Sequence, residues 1–140
     1  VFAASKVVTD LERMADHAVD ICKLTKKIGR NVNVFNGSLD NLWDMEAKVR
    51  MMIKSATDAY VQNNSKNAYK ICEEDDKVDG LCRQLFEDII RIIKSKEELV
   101  GEGAQLLFVI KYLERIADHV TNLCEWTIFS KDGVYVDLNE

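Results

Sequence analysis

The sequence predicts an all-α chain, an antiparallel three-helix bundle with one additional N-terminal helix. Three observations predict it. There is no proline among 140 residues and only six glycines, so the turn residues that many short strands require are missing. Apolar residues recur at alternating steps of three and four through four long stretches, the pattern of helices that pack at shallow angles. Only short polar segments separate these stretches, which makes neighbouring helices antiparallel.

The first helix is expected over residues 2–28, with a seam of Val7, Leu11, Met14, Ala18, Ile21, Thr25 and Ile28. Gly29 follows the basic turn Lys26-Lys27 and suits the left-handed position that ends a helix. Residues 30–37 read as a loop. Ser38 reads as the cap of the second helix, with Asp40 favouring the dipole of its first turn. That helix spans about 39–62 and carries Leu42, Met45, Val49, Met52 and Ala56. Asn63-Asn64-Ser65 break it, and Ser65 is expected to cap the third. The third helix, about 66–94, has a seam at Ile71, Asp75, Val78, Cys82, Leu85, Ile89 and Ile92, and tolerates Gly80 at a cost of about 1 kcal/mol. Ser95-x-x-Glu98 has the spacing of a capping box for the fourth helix, whose first turn Gly101 and Gly103 weaken. Leu106, Val109, Leu113, Ile116, Val120 and Leu123 carry that helix to about Phe129. A C-terminal tail, 131–140, follows: Lys131-Asp132-Gly133 read as a turn, and 134–140 are expected to be extended. Each helix should be roughly 35–45 Å long.

The chain has 19 basic and 24 acidic residues, a net charge of −5. It has no basic block of the kind nucleic acid requires, no apolar run long enough to span a membrane, and no secretory leader at Val1–Ser5. These features point to a cytoplasmic protein, peripheral to a membrane at most. Cys22, Cys72, Cys82 and Cys124 contain no CxxC pair. They read as reduced core cysteines rather than as disulfides or a zinc site. Trp43, Trp126 and Met51-Met52 read as packing residues.

The most informative feature is an internal repeat. Leu11-Glu12-Arg13-Met14-Ala15-Asp16-His17-Ala18-Val19-Asp20-Ile21-Cys22 returns as Leu113-Glu114-Arg115-Ile116-Ala117-Asp118-His119-Val120-Thr121-Asn122-Leu123-Cys124. Seven of the twelve positions are identical, at an offset of 102 residues. A unit of this length ends with the repeated helix. Residues 1–29 therefore read as the last helix of a first unit, and 38–130 as a complete second unit. The absence of an initiator Met agrees with a fragment that lacks the first unit's two preceding helices.

Within each copy the acids have a helical spacing. Glu12, Asp16 and Asp20 lie at i, i+4 and i+8, matched by Glu114, Asp118 and Asn122. Such acids share a helix face and repel one another, which either basic neighbours and solvent or a bound cation would offset. Asp75 stands where the third helix's seam calls for an apolar group, a costly placement unless it is paired or ligates a metal. Asp79 lies one turn on. The pair Asp75 and Asp79 is thus expected to face Glu114, Asp118 and Asn122, with Glu12, Asp16 and Asp20 as a corresponding half-site. Oxygen donors of this kind suit Mg²⁺, Mn²⁺, Fe or Ca²⁺ better than zinc. His17 and His119 follow the central Asp by one residue, which turns them off its face. They are expected at the seam edge or behind the ligands. No nucleophile elbow, triad order or phosphate-cradling glycine loop occurs. The Glu-x-x-His pairs of di-metal redox bundles are also missing.

The strings Leu11–His17 and Leu113–His119 resemble the signature of the PhoU family of bacterial phosphate-signalling regulators. Glu74-Asp75-Asp76-Lys77-Val78-Asp79 is similar to that family's acidic helix motif. The resemblance implies two three-helix repeats, metal clusters of iron, zinc or other ions at the E(D)-x-x-x-D motifs, and no catalytic activity. It also implies a repressive role in the phosphate-starvation response, with the phosphate ABC transporter ATPase and the phosphate sensor histidine kinase as partners. Two departures bear on the sites: the acidic helix of the first repeat is missing, and Asn122 replaces an acid. The alternatives are a PhoU-like domain of a sodium–phosphate cotransporter and a metal-free helical interaction module. An incomplete first repeat leaves apolar surface uncovered, so a homodimer is expected.

Overall fold

The computed structural model describes residues 2–35, 37 and 39–133. Four long helices account for most of them: α1 (Phe2–Ile28), α2 (Asp40–Val61), α3 (Ser65–Ser95) and α4 (Val100–Asp132). Short 3-10 helices span Gly29–Phe35 and Glu97–Leu99, and no strand occurs among the described residues. The segment read as a loop after α1 is thus a 3-10 turn that buries Phe35 completely. Its closing apolar residue docks on the core and holds the preceding backbone wound.

The helix ends follow local chemistry. Gly29 takes φ +56° after Ile28, and Gly133 takes φ +70° after Asp132, conformations that cost glycine nothing. Asn63 adopts φ 54° at the end of α2. The N–H of Asn64 then reaches the Ala59 carbonyl at 2.8 Å and that of Asn63 reaches Tyr60 at 3.2 Å, which is a Schellman closure. Asn64, not Ser65, caps α3: its side-chain oxygen accepts from the Asn67 N–H at 3.1 Å. The Ser95–Glu98 capping box does not form. Ser95 is the last residue of α3, and its hydroxyl donates to the Ile92 carbonyl at 3.0 Å. α4 opens two residues after Glu98 behind Leu99, without a side-chain cap. Ser38 and residues 134–140, with the expected cap and extended tail, lie outside the described residues; Leu39 precedes α2 and offers no side-chain cap.

The helix α4 is the hub, packing against α1, α2 and α3, while α2 also packs on α3. Its burial therefore runs round most of its surface. The expected stripe from Leu106 to Leu123 is buried, and so are Ile110, Ala117, Thr121, Cys124 and Ile128. The hydroxyls of Thr121 and Thr127 donate to the carbonyls four residues back, at 3.1 and 3.0 Å, which satisfies them inside the core. α2 buries Leu42, Met45, Val49, Met52 and Ala56, and α3 buries Ile71, Asp75, Val78, Cys82, Leu85 and Ile89, as their sequences require.

The α1 seam differs from the expected one. Val7, Met14 and Ile28 are buried and Ile21 packs against the core, but the alternate positions are Asp10, His17 and Leu24 rather than Leu11, Ala18 and Thr25. Leu11 is 41% exposed and Val8 and Val19 more so. By the repeat offset, Val8, Leu11, Ala18 and Val19 correspond to Ile110, Leu113, Val120 and Thr121, all buried on α4. The outer face of α1 thus repeats the face that α4 turns to its own bundle. Three further readings are corrected. Met52 is buried, but Met51 is 50% exposed. Trp43 is 61% exposed and forms one wall of a cavity of about 360 Å³ with Ile21, Ile28, Val32, Leu42 and Leu106. Cys22 is exposed, whereas Cys82 and Cys124 are buried.

The two seams make different demands on stability. Leu85→Ala, at a fully buried position, should cost about 2–5 kcal/mol in urea unfolding. Leu11→Ala should change stability by less than about 0.5 kcal/mol. Equal losses would show that Leu11 belongs to the core after all.

Candidate metal centre

Asp75 and Asp79 sit one turn apart on α3, and Asp118 sits on the antiparallel α4. One carboxylate oxygen from each lies within 4.8 Å of the other two. Asp75 is only 8% exposed, and its Oδ1 is buried without a hydrogen-bond partner. A buried, unpaired carboxylate oxygen is expensive. It is the kind of group that a cation, or a proton, would complete.

The electrostatics express this cost. Burial, then the charges of Asp79, Asp118, Asp76 and Glu114, push the Asp75 carboxyl up to about 7. Burial also raises Asp79, helped by Glu114 and Asp76 and opposed by Arg83 and Lys111. It raises Asp118, helped by Glu114 and Asp79 and opposed by Lys111 and His119. Glu114 goes the other way. Burial works against its charge, but hydrogen bonds from the Cys82 thiol and the Lys111 ammonium outweigh it and hold the carboxyl below its usual value. The Lys111 Nζ lies 2.6 Å from Glu114 Oε1. Glu114 is therefore neutralised locally at the edge of the trio.

The remaining expected ligands stand elsewhere. Asn122 turns toward α1, where its amide donates to Asp10 Oδ1 at 3.3 Å. Glu12 and Asp16 are exposed, and Asp20 is half-buried beside Lys23, Lys27, Phe108 and Tyr112. No second group of three candidate ligands forms among the described residues. His17 and His119 meet where α1 crosses α4, with ring centroids 5.5 Å apart. His119 Nδ1 is 2.9 Å from Asp10 Oδ1, and His17 packs on Tyr112 at 5.5 Å. Burial, then His119 and Arg115, lowers the His17 pKa. The repeat offset maps Asp10 on Tyr112 and His17 on His119, so these two contacts are one contact seen from both sides of a local pseudo-twofold. Sequence reasoning passed over Asp10 and the Cys82–Glu114 contact. Asp10 shares the heptad spacing of His17, seven residues on, which was the available signal.

Comparison with known proteins comes to the same place. The PhoU domain family matches residues 42–127. The chain belongs to the PhoU family. It is 44% identical, over its whole length, to the phosphate-specific transport system accessory protein PhoU homolog of Clostridium acetobutylicum, of which it covers 63%. The homolog of that name from Zymomonas mobilis is 34% identical over 95% of the chain and 55% of the relative. The crystal structure of the phosphate transport system regulatory protein PhoU from Streptococcus pneumoniae superposes with a TM-score of 0.87 at 28% identity, covering 97% of this chain and 63% of that one. This PhoU chain thus spans less than two thirds of the length of these relatives.

The carboxylate trio has a pH signature in metal-free protein. Below about pH 4 folded and unfolded chains both hold the Asp75 proton. As pH rises toward 7 the unfolded chain releases it first, so Asp75 costs stability progressively and then by a constant amount. Asp75→Asn, measured in chelator, should therefore be near neutral at about pH 4 and stabilising by roughly 1–3 kcal/mol at about pH 8. A difference independent of pH would place Asp75 in a solvated, ordinary environment.

Proposed function

We propose that this chain is the metal-binding repeat of a non-enzymatic regulator of phosphate uptake and phosphate-starvation signalling. The observation that carries the metal reading is the convergence of Asp75, Asp79 and Asp118 around an unpartnered, buried Asp75 oxygen. The donor set is all carboxylate, which fits a hard cation such as Mg²⁺, Mn²⁺, Ca²⁺ or iron and fits zinc less well. When bound, the ion supplies positive charge that removes the repulsion within the trio and ties α3 to α4. Asp75 and Asp79 would hold it from one helix and Asp118 from the other. Glu114, already bonded to Lys111 and Cys82, shapes the rim.

The regulatory reading rests on membership of the PhoU family and on the names of its relatives, which are accessory and regulatory proteins of phosphate transport. The partners we propose are the transporter ATPase and the sensor histidine kinase, met through protein contacts rather than substrate turnover. The exposed apolar face of α1, with Val8, Leu11 and Val19, supports assembly with further protein, a second copy included. No helix of the described residues is long and apolar enough to cross a membrane.

Adding Mn²⁺ or Fe²⁺ at a hundredfold excess over its Kd should raise the melting temperature by roughly 5–12 °C. Asp75→Ala combined with Asp118→Ala should abolish that rise. A parent protein whose melting temperature responds to neither metal nor chelator would contradict the metal reading. For the regulatory reading, deleting the gene should derepress phosphate-uptake genes in phosphate-replete medium. An unchanged response in a strain without other family members would contradict it.

A further inference from the structure

The helix register that gathers the carboxylates also brings two thiols together. On α3, Cys72, Asp75, Asp79 and Cys82 follow one another at steps of three, four and three. On the antiparallel α4, Asp118 meets Asp75 and Asp79, Glu114 accepts from the Cys82 thiol, and Gly103 lies against Ile93. Continuing this register one turn before Asp75 places Cys72 opposite Cys124. The side chains make that contact, thiol to thiol. Cys124 is fully buried, and Cys72 is half-buried at the edge of the core. The other two cysteines are set apart: Cys82 is engaged by Glu114, and Cys22 is exposed on α1.

We propose that Cys72 and Cys124 are a modification site: a dithiol that peroxide converts reversibly into a disulfide linking α3 to α4. The order of events follows from exposure. The sulfur of Cys72, the less buried of the two residues, attacks hydrogen peroxide. The O–O bond breaks, Cys72 becomes a sulfenic acid and one water leaves. The Cys124 sulfur then attacks the Cys72 sulfur. The S–O bond breaks, and the departing hydroxide takes the Cys124 proton as a second water. Two thiols have lost two electrons, and one peroxide has become two waters. Cys124 is suited to the second step only. Its contact with Cys72 and its burial hold its thiol far above the usual pKa, so it does not react with peroxide in solution unaided. Once Cys72 carries the leaving group, Cys124 is already in place.

The test uses the reduced, full chain with Cys22→Ser, kept in chelator so that metal-catalysed oxidation plays no part. After a few equivalents of hydrogen peroxide, the intact mass should be lower by about 2 Da, and denaturation with alkylation should then find two fewer thiols. Peptide mapping should join the segments holding Cys72 and Cys124, and dithiothreitol should restore both thiols. Cys72→Ser should give no such link. Because Cys124 is in the core, its part is tested without mutation: alkylating Cys72 in the folded, reduced chain should prevent the link. The proposal is overturned if Cys72 accumulates as sulfinic acid with Cys124 still reduced, if the link joins Cys82 instead, or if both thiols survive a dose that fully oxidises Cys22 in the parent chain.

Discussion

The antiparallel seating of α3 on α4 governs the chemistry of this chain. Gly103 illustrates how close the two helices come: a side chain there would collide with Ile93. That approach fixes which residues share a rung. Asp75 is held at a seam position among apolar neighbours such as Ile71 and Val78, and Asp79 and Asp118 are brought to it. Without an ion the arrangement opposes folding, because burial and like charge both act against ionisation. The surrounding apolar contacts must therefore hold the carboxylates where they would not go unaided, as is common at functional sites.

The second organising feature is α4 itself. It buries one face against α2 and α3 and another against α1, so almost any substitution along it touches a partner. α1 carries the same signature but turns the corresponding apolar face, Val8, Leu11 and Val19, to solvent. Where the two copies cross, repeat-equivalent histidines stack, and Asp10 and Tyr112 occupy equivalent places beside them. The contact is pseudo-symmetric in position but not in chemistry. One histidine has a carboxylate partner and the other an aromatic one.

Much of this was legible in the sequence. Three-and-four spacing gave α2, α3 and α4 their buried faces, because each stripe was apolar and continuous. Asp75 was conspicuous because it interrupted such a stripe. The α1 stripe misled for a physical reason: Val7, Met14, Ile21 and Ile28 fit two seams, and the more apolar alternates, Leu11 and Ala18, belong to the outer face. The true seam runs through Asp10, whose carboxylate is satisfied by the His119 and Asn122 side chains from α4, and His17, which stacks on Tyr112 and His119. That pairing depends on tertiary contact and leaves no local trace. The same limit applies to Asn122, which shares the acidic helical spacing yet turns to α1, and to Glu114, which Lys111 and Cys82 engage at the edge of the trio. The winding of Gly29–Phe35 was also hidden, because it depends on Phe35 finding the core.

The account's central claim is that Asp75, Asp79 and Asp118 form one cation site across α3 and α4. The most direct measurement is anomalous diffraction from crystals of this chain grown with Mn²⁺. The account predicts a peak coordinated by oxygens of all three carboxylates at roughly 2.0–2.6 Å. Bound manganese found only at other acids, with the Asp75 carboxylate turned away from Asp118, would contradict it.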